Sequence, residues 1–88
     1  MLGKSVMKVP GGKLLKAAVE HDGDRIISVK FSGDFFMHPE DALESLEESL
    51  AGVRVSEVRG VVERELSGAR LYGVDANSIV KAVWGAMG

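Results

Sequence analysis

Residues Arg25 to Leu50 read RIISVKFSGDFFMHPEDALESLEESL, and the period of the apolar residues changes inside this stretch. From Arg25 to Phe31 the period is two. Ile27, Val29 and Phe31 fall on one face and Ile26, Ser28 and Lys30 on the other, the pattern of a strand with one buried side. Beyond Gly33 the period is helical: Leu43, Leu46 and Leu50 line one face with Ala42 beside them, while Glu44, Glu47 and Glu48 lie outside. His38-Pro39-Glu40-Asp41 reads as the helix start. Pro39 suits the first helical position, His38 precedes it as a capping residue, and two acids face the positive end of the helix dipole. Gly52 closes the helix just past its last turn.

Working outward toward the N-terminus, Leu14 to His21 is a second strand with Leu15, Ala17 and Val19 on its apolar face. Asp22-Gly23-Asp24 joins it to the strand at Arg25. Lys4 to Val9 alternates weakly, with Val6 and Lys8 opposite Ser5, Met7 and Val9. Pro10-Gly11-Gly12 is the turn that follows, proline setting φ and glycine accepting a positive φ. Three strands joined by short turns make an antiparallel meander. Toward the C-terminus, Val53 to Val55 reads as a short extended piece. Ser56 then caps a helix carrying Val58, Val61, Val62 and Leu66. Gly60 weakens that helix by roughly 1 kcal/mol, and Ser67-Gly68 ends it. Asp75 or Asn77 caps a last helix with the stripe Ile79, Val80, Val83, Trp84 and Met87. The expected fold is α+β: a three-stranded antiparallel meander sheet followed by three helices packed on one face, forming a single domain over residues 1–88.

Composition limits what such a domain does. Eighty-eight residues, 45% apolar and 27% charged, suit one small globular domain. No apolar run is long enough to span a membrane, and the lysine-punctuated start lacks a signal-peptide core. The chain has no cysteine, which excludes disulfides, thiolate metal sites and cysteine nucleophiles, and a cytoplasmic setting is expected. A domain of this size buries only about 60% of the surface its unfolded chain exposes, too little to enclose an active site comfortably. The net charge of -2 conceals a partition. Residues 1–33 hold six Lys/Arg against three Asp/Glu, residues 34–53 hold six acids and no base, and residues 54–88 hold five bases and four acids. That distribution suits a protein partner better than nucleic acid.

The chemistry-bearing segments are few. Gly11, Gly12 and Lys13 combine glycines with a cation, but Leu14 stands where a phosphate loop places Ser or Thr. The hairpin reading therefore holds for the glycines, and Lys13 at the hairpin tip can reach a ligand held by another subunit. His38 with Asp34, Glu40 and Asp41 has ligand chemistry, yet a capping histidine explains it and no metal is assigned. His21, beside a turn, reads as a solvated residue. No serine has a base beside it, so no catalytic residue is assigned. Lys8, Lys16 and Lys30 give the sheet a basic face without Tyr or Trp to stack on bases, which argues against nucleic acid. Gly33-Asp34-Phe35-Phe36 is the most informative segment. Adjacent phenylalanines on an extended chain point opposite ways, which leaves one available to a partner, unless the loop folds back so that both pack under the helix that follows and Asp34 bonds nearby loop amides.

These residues carry a resemblance. Lys8-Val9-Pro10-Gly11-Gly12-Lys13-Leu14, then Ile27-x-Val29-Lys30-Phe31-Ser32-Gly33-Asp34-Phe35-Phe36, His38-Pro39-Glu40-Asp41, Leu46-Glu47 and Leu50-Ala51-Gly52-Val53 resemble the accessory, C-terminal domain of lipoate–protein ligases. The similarity covers residues 4–55, and the remainder matches by helical pattern alone. At this length the chain looks like the version of that domain that stands free as a small subunit, an arrangement familiar mainly in archaea. The resemblance implies a heterodimer with a catalytic subunit that holds ATP, magnesium and lipoate, while this chain alone binds no cofactor. The accessory subunit would be needed to activate lipoate to lipoyl-AMP before transfer to a lysine of an acceptor domain. Gly33, Asp34, Phe35 and Phe36 are then the expected docking residues, with Lys13, Gly11 and Gly12 as a phosphate or ligand contact across the interface. Two other readings are a module that binds the lipoyl acceptor protein without affecting adenylation, and a nucleic-acid binder using the lysine face.

Overall fold

The computed structural model describes residues 1–11 and 13–88. Strands β1 (Leu2–Val9), β2 (Lys13–Asp22) and β3 (Arg25–Gly33) form an antiparallel sheet in the order β1-β2-β3. β4 (Phe36–His38) leads into helix α1 (Ala42–Leu50), a 3₁₀ turn at Val55–Glu57 and helix α2 (Val58–Leu66). β5 (Arg70–Tyr72) returns to pair antiparallel with β4, and α3 (Ala76–Met87) ends the chain. Helices α3 and α1 pack on the inner face of the sheet, α3 against β1 and β2 and α1 against β3, while α2 packs on the two of them. The α+β meander with three helices is as expected.

Alternation explains most of the core. Leu15, Ala17 and Val19 of β2, with Val29 and Phe31 of β3, meet Leu46 and Leu50 of α1 and Ile79, Val80 and Val83 of α3. The inner face of β1 adds Met7 and Val9 to this core but starts with the small residues Gly3 and Ser5, because α3 lies close against that end. A Cβ on Gly3 would run into the carbonyl of Ala86, and the Ser5 hydroxyl donates to the Ala82 carbonyl at 2.7 Å. Asp75 is the α3 cap, its carboxylate accepting from the Ser78 N–H at 2.7 Å. The half-buried Trp84 donates its indole N–H to Val55 O at 3.0 Å and stacks under the Arg59 guanidinium, 5.5 Å from the ring centroid.

Several local expectations are corrected. Ile26 is buried (1% exposed) and Ile27 exposed (54%), the reverse of strict alternation. A bulge causes this: Glu20 pairs with Ser28 but His21 with Ile26, so Ile27 has no opposite number and the side chains before it change face. His21 is not solvated. It lies buried on the inner face, and its Nδ1 donates to the Gly23 carbonyl at 2.9 Å. Pro39 is not the first helical residue, and His38 is not a cap. His38 belongs to β4, and α1 begins at Ala42 after Asp41, whose side chain makes no cap bond. Ser56 lies within the 3₁₀ turn that precedes α2, where the Arg54 N–H donates to Glu57 Oε1 at 3.2 Å and Arg54 O accepts from the Glu57 N–H at 2.8 Å. The piece expected to be extended, Val53 to Val55, is so through Arg54, which bridges to Arg25 at the start of β3.

Candidate functional site: a groove between the first hairpin and a small aromatic ribbon

Gly33 terminates β3 at φ +142°, and a Cβ there would collide with the Leu14 carbonyl. Glycine at this point lets the chain cross β2 closely, and the Asp34 N–H donates to Leu14 O at 3.1 Å. The crossing delivers the next two residues to different environments. Phe35 turns inward and packs, half-buried, against the core. Phe36, in β4, stays 51% exposed. Of the two expected arrangements, the structure has the one that leaves a single phenylalanine exposed.

The β4–β5 ribbon then supplies what the sequence reading missed. Phe36 pairs with Tyr72, which is also 51% exposed, their ring centroids 5.9 Å apart and tilted by 35°. Gly73 follows at φ +80°, where a Cβ would stand 2.8 Å from Asp34 O and 3.1 Å from the Lys13 Cγ. The aliphatic stem of Lys13 therefore lies over Gly73. Lys13, Gly33, Asp34, Phe35, Phe36, Tyr72 and Gly73 line an open groove of about 520 Å³. A second hollow of about 320 Å³ continues it past His38 and Arg70. Arg70-Leu71-Tyr72 alternates polar–apolar–polar before a glycine, a strand signal too short to read without its partner.

Two separate sequence motifs, the hairpin lysine and the Gly-Asp-Phe-Phe segment, thus come together in one concave surface. Gly11 sits in the turn at φ +106° and does not line the groove, while Gly12 lies outside the described residues. Lys13 enters none of the ion pairs among the described residues. Two exposed aromatic rings, one cation and a tightly crossed backbone make a surface for anchoring a partner and contacting an anion. Among the described residues, serine and histidine side chains bond only to backbone carbonyls. No group of three His, Asp or Glu side chains is placed to hold a metal there.

No protein-family model matches the chain. A curated relative does: lipoate–protein ligase A subunit 2 of Thermoplasma acidophilum is 31% identical over 71 residues, covering 80% of this chain and 76% of the relative. The chain belongs to the lipoate–protein ligase subunit 2 family. A solved structure agrees, that of a bipartite lipoate–protein ligase studied with its E2 lipoyl domain, also from Thermoplasma acidophilum. The fold superposes with a TM-score of 0.86 at 28% identity, covering 94% of each chain.

Proposed function

We propose that this subunit joins the catalytic subunit of a bipartite lipoate–protein ligase and is required there for ATP-dependent activation of lipoate to lipoyl-AMP. Lipoyl transfer to a lysine of the acceptor domain follows, in the cytoplasm. The observation that carries this reading is the convergence of Lys13 with Phe36 and Tyr72 in one groove, on a chain similar to subunit 2 of such a ligase. Phe36 and Tyr72 act as the anchors, since paired exposed aromatics gain most from being covered. Their docking brings the Lys13 ammonium, mounted over Gly73, toward the nucleotide phosphates held by the partner. ATP, magnesium and lipoate are assigned to the catalytic subunit. Lys13 offers a charge to phosphate oxygens, and this subunit contributes orientation and charge placement without a new reacting group.

The test is lipoate-dependent pyrophosphate release from ATP by the catalytic subunit, with and without this chain. Release only when both are present is the expected result. Lys13→Ala lowers the rate at least about tenfold with the complex intact. The double substitution Phe36→Ala, Tyr72→Ala raises the dissociation constant at least about tenfold. Equal release with and without this chain, the complex being formed, would overturn the activation role and leave acceptor binding as the function.

A further inference from the structure

The sheet has two margins, and one is open. Along β3 much of the outer margin is covered: Gly52 N–H donates to Ile26 O at 2.7 Å, Ile26 N–H to Val53 O at 2.9 Å, and Val55 N–H to Asp24 O at 2.7 Å. Further along, Glu47 Oε2 accepts from the Phe31 N–H at 2.8 Å. β1 has no such cover. The Met1 ammonium donates to His21 O at 2.9 Å and the His21 N–H to Met1 O at 2.9 Å, which marks these two as a bonded pair. Antiparallel alternation then turns the polar backbone of Gly3, Ser5 and Met7 toward β2 and that of Leu2, Lys4, Val6 and Lys8 outward. Among the described residues nothing bonds to the outward-facing N–H and C=O groups of those four residues.

The side chains along that margin define what would fit. Lys4 and Lys8 flank Val6, which is 63% exposed, on the outer face. Lys16 stands beside Val6 and, one strand further in, Lys30 lies in the row of Lys4. Glu20 and Asp22 are the acids on the β1 and β2 part of this face, both at the end of β2 away from Lys8, and the Met1 ammonium already holds Glu20 at 2.8 Å. A second copy pairing antiparallel about Val6 would set Lys4 against Lys8 twice, a like-charge apposition that disfavours self-association. An acidic strand meets the opposite situation.

We propose that the free margin of β1 is a strand-addition site for an acidic extended segment of the catalytic subunit, one presenting acid–x–apolar–x–acid to Lys4, Val6 and Lys8. The proposal rests on the accessory-subunit reading above and adds a second contact to the groove.

Amide hydrogen exchange of this subunit, alone and in complex with the catalytic subunit, tests it. The expected result is exchange slowed at least about tenfold at Leu2, Lys4, Val6 and Lys8 in the complex. Val6→Pro provides a second arm. It removes an outward-facing N–H that the fold does not use, so the circular dichroism spectrum is retained while affinity falls at least about tenfold. Complex formation without slowed exchange at these amides overturns strand addition and leaves the accessory role standing. No complex at all overturns both. Protection that rises with the concentration of this chain alone assigns the margin to a second copy and overturns the proposal.

Discussion

β1 and β3 occupy equivalent places in the sheet and are stabilised differently. β3 is held from outside by a glutamate carboxylate and by the backbone that follows α1. β1 is held only from β2 and from beneath, where Gly3 and Ser5 fit against α3 with no room for a larger residue at Gly3. The closed margin is where the chain completes itself. The open one has a rigid underside and an unsatisfied rim, which is how a strand stays ordered while remaining able to pair.

The contrast can be broken most severely at Gly3. Gly3→Val drives a side chain into the Ala86 carbonyl and is expected to cost about 3 kcal/mol or more, read as a lower denaturant midpoint. On the opposite strand the bulge is tested by two neighbouring truncations. Ile26→Ala should cost about 3 kcal/mol, because Ile26 is in the core. Ile27→Ala should stay within about 0.5 kcal/mol. Equal losses at the two positions would mean that the register shift is absent in solution. Closure of the β3 margin is tested by Glu47→Ala, which leaves the Phe31 N–H without its charged acceptor and should cost about 1.5 kcal/mol, with faster exchange at that amide.

The smallest effect concerns Glu20, on the outer face between β1 and β3. Hydrogen bonding to the Met1 ammonium holds its carboxyl below the usual 4.5. A depressed folded value means the contribution is complete above pH 4.5 and fades as pH falls through the folded value. Glu20→Gln should therefore lower Tm slightly at pH 6 and make no difference once the wild-type carboxyl is protonated. A Tm difference that persists at pH 2 would refute the ionic origin.

Much of this fold can be read from the chain before any coordinates. Leu15, Ala17 and Val19 alternate cleanly because large apolar residues point inward and the pairing of β2 is regular there. The inner face of β1 is faint because close approach of α3 demands Gly3 and Ser5, and small residues leave no hydropathy signal. Ile26 and Ile27 are adjacent and equally apolar, so their order depends on pairing with β2, which periodicity does not encode. Pro39 and the two acids suit a helix start, but pairing of Phe36–His38 with Arg70–Tyr72 keeps the chain extended through His38, and a turn over residues 39–41, closed by the Ala42 N–H on Pro39 O, defers the helix to Ala42. The site was legible as two motifs, Lys13 and Gly33 to Phe36. Their meeting, and the parts played by Tyr72 and Gly73, depend on a ribbon whose strands are three residues each and more than thirty positions apart, beyond the reach of any local pattern.

The separation of charge between layers has a kinetic consequence. Lys4, Lys8, Lys16 and Lys30 stand on the outer sheet face, while Glu44 and Glu48 are exposed on α1, which packs beneath β3. A body built this way presents a lysine-rich face and an acidic helix, although its net charge is only -2. In the field of an oppositely patterned protein it experiences a torque before it experiences a contact. The subunit would arrive already turned, lysines leading, at separations up to about one Debye length, roughly 8 Å at physiological ionic strength. Added salt would then slow productive encounter by randomising approach angles.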